Sequence, residues 1–172
     1  MRRSVLTPLF AIHGPWRGRL AIAPAPAPHP HLEKNLRHWQ KMGVTGVLSL
    51  LQSDERPGWE NEEDVCRAVG LKFYSIPIVD HTAPLPDELP TMASQLVAIE
   101  AQLREGEKIV AHCFAGIGRS GMATIALLMI AGIPLDDAKT LVSSARGLAV
   151  PENRDQWEWL RAFDRYRRLS YT

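Results

Sequence analysis

The chain is predicted to be an α/β protein, with a central and mostly parallel sheet flanked by helices. Three observations predict it. Short apolar runs rich in β-branched residues alternate with segments of helical periodicity, and glycine or proline marks nearly every junction. One apolar run then passes through a glycine-bearing loop into a continuous apolar helix. At 172 residues, the whole of 1–172 is expected to form one domain with a sizeable core. Residues 1–30 are expected to be an irregular segment ahead of a folded core at about 31–168.

Leu20-Ala21-Ile22-Ala23 reads as a short edge strand. It is closed by Pro24-Ala25-Pro26-Ala27-Pro28-His29-Pro30, where alternating proline forbids helix and central strand and leaves a stiff surface connector. A site for a proline-binding partner is the other reading. Over 31–42, Leu32, Leu36 and Trp39 recur with helical spacing, and Gly43 ends the run. Residues 44–51 read as an apolar strand, 52–58 as a loop around Pro57-Gly58, 59–69 as a helix stopped by Gly70, and 71–78 as the next strand. Asp87 reads as the N-cap of a helix over 88–103. A strand at 108–111 and helices at 122–133, about 136–146 and 152–168 complete the chain.

The segment His112-Cys113-Phe114-Ala115-Gly116-Ile117-Gly118-Arg119-Ser120-Gly121 joins the last strand to the apolar helix. A strand, a tight glycine loop and a helix start turn successive N–H groups inward and add the positive end of the helix, a cradle for a tetrahedral oxyanion. Cys113 at the mouth sits in a field that favours its thiolate, and Arg119 supplies a two-pronged cation for phosphate. The chemistry implied is attack by sulfur on a phosphate ester. A buried structural cysteine in a packing loop is the alternative, but it gives the Cys–Arg pair nothing to do.

His-Cys-x5-Arg-Ser resembles the signature of the cysteine-dependent protein tyrosine phosphatases. The chain's length points to the small atypical dual-specificity branch that includes the kinase-associated phosphatase. The resemblance implies a protein tyrosine phosphatase-like fold with Cys113 as nucleophile. Phosphate would be bound by Phe114, Ala115, Gly116, Ile117, Gly118 and Arg119. Ser120 would hydrogen-bond the sulfur and ease its departure, and His112 would orient the loop and hold the thiol pKa down. Asp80, in Pro77-Ile78-Val79-Asp80-His81-Thr82-Ala83-Pro84, resembles the family's loop-borne general acid, with Asp87 and then Asp54 behind it. Gln156 resembles a glutamine that positions hydrolytic water, or it is a polar face of the last helix. Arg146 is either a second pocket cation or a helix C-terminal arginine.

The implied reaction is hydrolysis of phosphotyrosine in proteins or peptides, extending to phosphoserine and phosphothreonine, through a cysteinyl-phosphate. It needs no metal and no cofactor. Alternatives are a lipid, inositol or other small-molecule phosphatase, a non-catalytic phosphate-binding module, and a rhodanese-like sulfurtransferase. Lipid-directed relatives carry lysines at the loop positions held here by Phe114 and Ile117. A formal charge of +1 offers no bulk field for nucleic acid or an anionic membrane. No run reaches the ~20 apolar residues of a membrane span. Cys66 and Cys113 are too few for a disulfide framework, so a reducing, cytoplasmic setting is expected; a monomer is favoured, with the oligomeric state left open. A pairing of Cys66 with Cys113 under oxidation is the lesser reading of Cys66. The start, Met1-Arg2-Arg3 and then a short apolar stretch, is not read as a signal peptide, because His13, Pro15, Trp16 and Arg17 stand where small residues would be cleaved. His29, His31 and His38 lack the companions of a metal site.

Overall fold

Alternating strands and helices build a five-stranded sheet covered on both faces in the computed structural model, which describes residues 6–170. The strands are β1 (Phe10–Ile12), β2 (Arg19–Ala23), β3 (Gly46–Ser49), β4 (Lys72–Ser75) and β5 (Lys108–His112), in the order β1-β2-β5-β3-β4. β1 is antiparallel to β2, and every other pairing is parallel. The helices are α1 (Leu32–Lys41), α2 (Glu62–Ala68), α3 (Leu89–Glu105), α4 (Arg119–Ile130), α5 (Leu135–Arg146) and α6 (Arg154–Ser170).

Successive side chains of a strand point to opposite faces, and both faces are apolar here. Leu20, Ile22, Leu48, Ile109 and Ala111 enter the larger core with residues of α3, α4, α5 and α6. Ala23, Val47 and Val110 enter the smaller one with Leu36 and Trp39 of α1 and Cys66 of α2. α4 is buried all round from Arg119 to Met129, which explains its unbroken apolar run. Each large side chain buried there contributes about 1.5–3 kcal/mol, which anchors the start of α4 under the loop that precedes it.

The N-terminal segment departs from expectation. Residues 1–5 lie outside the described residues, so the reading of the chain's start as no signal peptide is untouched there. Between residues 6 and 30 the otherwise irregular segment carries two strands, β1 and β2, and β2 is no edge strand. It pairs with β5 over its full length, from Arg19 opposite Lys108 to Ala23 opposite His112. The reason is the Leu-x-Ile alternation, which buries Leu20 and Ile22 on one face and leaves the alanines small enough for the other.

Two helix starts also differ. Asp87 caps nothing. It is exposed in a 3₁₀ turn (Pro86–Glu88), where the Glu88 carboxylate accepts the Leu85 N–H at 2.7 Å. α4 begins at Arg119 rather than 122, because Met122 N–H donates to Gly118 C=O at 2.9 Å and draws the polar Arg119 and Ser120 into the first turn.

Candidate active site

β2, β3, β4 and β5 are parallel, so the loops leaving their carboxyl ends share one rim. Pairing continues past the strands: Ile76 N–H donates to Ser49 C=O (3.0 Å) and Ile78 N–H to Leu50 C=O (3.1 Å). The 76–84 loop is thereby brought beside the loop that leaves β5.

That second loop, 113–118, has its carbonyls tied from outside. His112 Nδ1 donates to Cys113 C=O (3.0 Å), Ala25 N–H to Phe114 C=O (3.0 Å), Arg146 Nη2 to Ala115 C=O (3.2 Å) and Arg146 Nε to Gly116 C=O (2.9 Å). Gly116 has φ +72°, and a Cβ there would stand 2.5 Å from the Ala23 carbonyl carbon, so only glycine fits. The Ala-Pro connector is the wall it presses against. It is a half-buried support for the loop rather than a surface strap, with Pro26 buried and accepting the Trp59 indole N–H at 2.8 Å.

Cys113 is 3% exposed, and its sulfur lies 3.2 Å from Ser120 Oγ. Burial pushes the thiol pKa up. Hydrogen bonds from the Ser120 hydroxyl and from the Ser120 and Ile117 N–H groups, with the Arg119 charge, outweigh it and bring the thiol below its ordinary value. Arg119 is 2% exposed and gripped on every side. Nη1 and Nη2 meet the two Glu55 oxygens at 2.6 and 3.0 Å, Nη1 donates to Ile78 C=O at 2.9 Å, and Nη2 reaches Asp80 Oδ1 at 3.0 Å. Burial opposes the guanidinium charge, but Glu55, the Cys113 sulfur and Asp80 prevail and keep it ionised.

Beneath the loop, His112 Nε2 meets Glu62 Oε1 at 2.6 Å, both side chains essentially buried. Both ring nitrogens face acceptors, which fits an imidazolium. Burial lowers the His112 pKa, and the Glu62 charge and hydrogen bond, with the Cys113 carbonyl, reverse that and raise it overall. A pKa raised in the folded state gives stabilisation that is complete below about 6.5 and is lost as pH climbs through the raised value. Glu62→Ala strips one partner from a buried pair and is expected to cost about 3–5 kcal/mol at pH 6. Urea unfolding of both proteins at pH 6 and pH 9 checks it, the gap narrowing at the higher pH.

Asp80 is a third exposed. Its loop is pinned to the turn before α6 and to the first turn of α6: Asn153 Nδ2 donates to His81 C=O (2.8 Å), His81 Nδ1 meets Glu152 Oε2 (3.3 Å), and Gln156 Nε2 donates to Thr82 C=O (3.3 Å). His81 takes the left-handed backbone, φ 61°, which turns Asp80 toward Arg119.

Cys113, Phe114, Ala115, Gly118, Arg119 and Asp80 line one cavity of about 200 Å³ with Arg56, His81 and Glu152. A cleft of about 560 Å³ runs beside it, between the 76–84 loop and α3, but no cysteine lines it. The smaller cavity can seat a tetrahedral oxyanion over a thiolate, with a carboxyl group beside it. Gln156 lies outside it, fully buried, its Oε1 accepting Glu152 N–H at 3.0 Å. Arg146 is also outside it, holding the loop's back with its guanidinium over the Phe10 ring. Asp87 lines the neighbouring cleft and Asp54 another cavity. Cys66 is buried on the opposite sheet face from Cys113, and burial pushes its thiol pKa up. Glu55, Glu62, His81 and Glu152 went unforeseen. Glu62 looks like any helix-start acid beside Glu63 and Asp64, and Glu55 like a solvated loop residue.

Residues 30–166 match the family described as dual specificity phosphatase, catalytic domain. The mouse protein called dual specificity phosphatase 28 is 33% identical over 99 residues, which are 57% of this chain and 59% of that one, so the match spans about three fifths of the relative. Among solved structures, Tk-PTP in its active form superposes with a TM-score of 0.72 at 29% identity, covering 91% of this chain and 97% of that one. The kinase associated phosphatase with its catalytic-site cysteine substituted by serine gives 0.82 at 16% identity, covering 96% and 97%, a likeness of fold.

Proposed function

The chain belongs to the dual specificity phosphatase family, and from that premise we propose that it hydrolyses phosphotyrosine in proteins, and phosphoserine or phosphothreonine where they reach the sulfur. One observation carries the reading: a buried sulfur favoured as thiolate shares a cavity with a fixed guanidinium and a carboxyl group.

Incoming phosphate takes the Arg119 edge that Asp80 now occupies, leaving the Asp80 carboxyl beside the ester oxygen. The Cys113 thiolate forms the S–P bond as the P–O bond breaks, and Asp80 gives its proton to the departing oxygen. Water then attacks phosphorus, its proton passes to the Asp80 carboxylate, and the S–P bond breaks to restore thiolate and release phosphate. Ser120, 3.2 Å from the sulfur, steadies it as it leaves. Inward N–H groups and Arg119 hold the equatorial oxygens throughout. No step calls for a metal or cofactor.

Phe114 and Ile117 put no cation inside the loop for a polyphosphorylated head group. Among the described residues no helix is long and apolar enough to cross a membrane. The test is a turnover panel of phosphopeptides and phosphoinositides. Asp80→Ala is expected to lower kcat by ~10²–10⁴-fold, more for alkyl than for activated aryl esters. Unchanged rates on both ester types remove Asp80 from the reaction.

A further inference from the structure

Arg56 is a cation at the mouth of the cavity that the proposed chemistry does not use. Its guanidinium carbon lies 3.5 Å from the centroid of the Phe114 ring. Phe114 is 37% exposed and meets Trp59 edge-on, with centroids 6.1 Å apart and planes at 88°. Trp59 is itself fixed, because its indole N–H is bound to Pro26. The two rings form a rigid apolar ledge with Arg56 lying flat on it. Stacking occupies the face of the guanidinium and leaves the in-plane N–H donors at its edge.

Those donors have no carboxylate partner among the described residues. The acids of the same segment face elsewhere: Glu55 grips Arg119, Glu60 accepts the Gly58 N–H at 2.8 Å, and Asp54 lines a separate cavity of about 400 Å³. Across the mouth stand Glu152 and Asp80, with His81 between them at 3.3 and 3.5 Å. The opening is therefore polarised, cationic and aromatic on one side and acidic on the other. A peptide chain crossing it with its phosphorylated side chain in the cavity lays one flank against each side.

We infer that Arg56, resting on Phe114, is a specificity-determining residue that selects phosphopeptides carrying a carboxylate within a residue or two of the phosphorylated position. The inference rests on the phosphatase reading and names the substrate class within it. The carboxylate accepts charge-assisted hydrogen bonds from the edge of the guanidinium, whose face the Phe114 ring holds in place, and because Arg56 is exposed the contact is weakened by salt. A basic residue at the same place meets like charge.

The experiment uses three phosphotyrosyl peptides that differ only in an acidic, neutral or basic flank, with an aryl phosphate as the flankless reference. Affinity is read by fluorescence anisotropy on Cys113→Ser, and kcat/KM on the active enzyme, each with and without Arg56→Gln and Arg56→Lys. The expected result is an acidic-over-neutral ratio that falls about 5–30-fold in Arg56→Gln and is partly kept in Arg56→Lys. Equal losses on every peptide and on the aryl phosphate mean that Arg56 only props the ring, and they overturn the inference, as does a ratio that Arg56→Gln leaves unchanged. Absence of turnover on all four esters, with the flank preference still seen in binding, sinks the phosphatase reading and leaves the selectivity standing.

Discussion

Cys113→Ser is expected to abolish turnover of an aryl phosphate, by about 10⁴-fold or more, with the fold and the anion seat intact. The thiol pKa lies below its ordinary value because two N–H groups, the Ser120 hydroxyl and Arg119 favour its anion. A serine hydroxyl in the same place stays protonated, so the surrounding donors have no anion to stabilise and the nucleophile is gone. The change in volume is small, and the 3.2 Å contact with Ser120 remains available as an ordinary hydrogen bond. Vanadate should therefore still raise the melting temperature of the variant. The same logic fixes the pH dependence. A depressed thiol pKa puts the thiolate on hand at neutral pH, and activity falls on the acid side as the sulfur protonates. Iodoacetamide alkylation of the wild-type enzyme against pH should give a midpoint below about 8.5, the ordinary thiol value. A midpoint at or above it means the loop does not activate the sulfur.

Arg119→Ala is the second large effect, a loss of ~10³–10⁵-fold in kcat/KM, the usual range for an arginine that faces transferring phosphoryl oxygens. Arg119→Lys should recover little, since an ammonium cannot hold both Glu55 oxygens and present a second edge to phosphate. Stability separates two roles that activity alone confounds. The Glu55 side chain is 10% exposed, and losing its partner leaves a nearly buried carboxylate alone, at a cost of about 3 kcal/mol. Arg119→Ala combined with Glu55→Gln should regain most of that stability and none of the activity. If the double variant regains activity as well, Arg119 is a structural ion-pair partner and not a phosphate ligand.

Local sequence was a good guide where one segment carried its own cause. The run from β5 through Cys113 into α4 encodes strand, glycine turn and helix within about twenty residues, so the loop is legible in the sequence alone. Asp80 was legible because a strand end and flanking prolines place it on the rim. What escaped depends on distant pairing. β2 sits inside the sheet because β5 lies nearly ninety residues away and sets Ile109 and Ala111 beside Leu20 and Ile22, and no local pattern distinguishes that from an edge. Glu55 and Glu62 are known only by what they touch, 64 and 50 residues on. Arg146 sits at a helix end, as a helix C-terminal arginine should, yet its hydrogen bonds go to the back of another loop.

The four consecutive carbonyls held from outside, 113 to 116, have a kinetic consequence. The loop backbone is set before any ester arrives, so in the proposed reaction the inorganic phosphate left after the second step would fit the seat that the substrate's phosphoryl group took. Release of that product competes with its own good fit, and free phosphate in the surrounding solution occupies the same place. On the proposed mechanism, inorganic phosphate is expected to compete with substrate, so turnover in phosphate buffer should fall below that in a phosphate-free one.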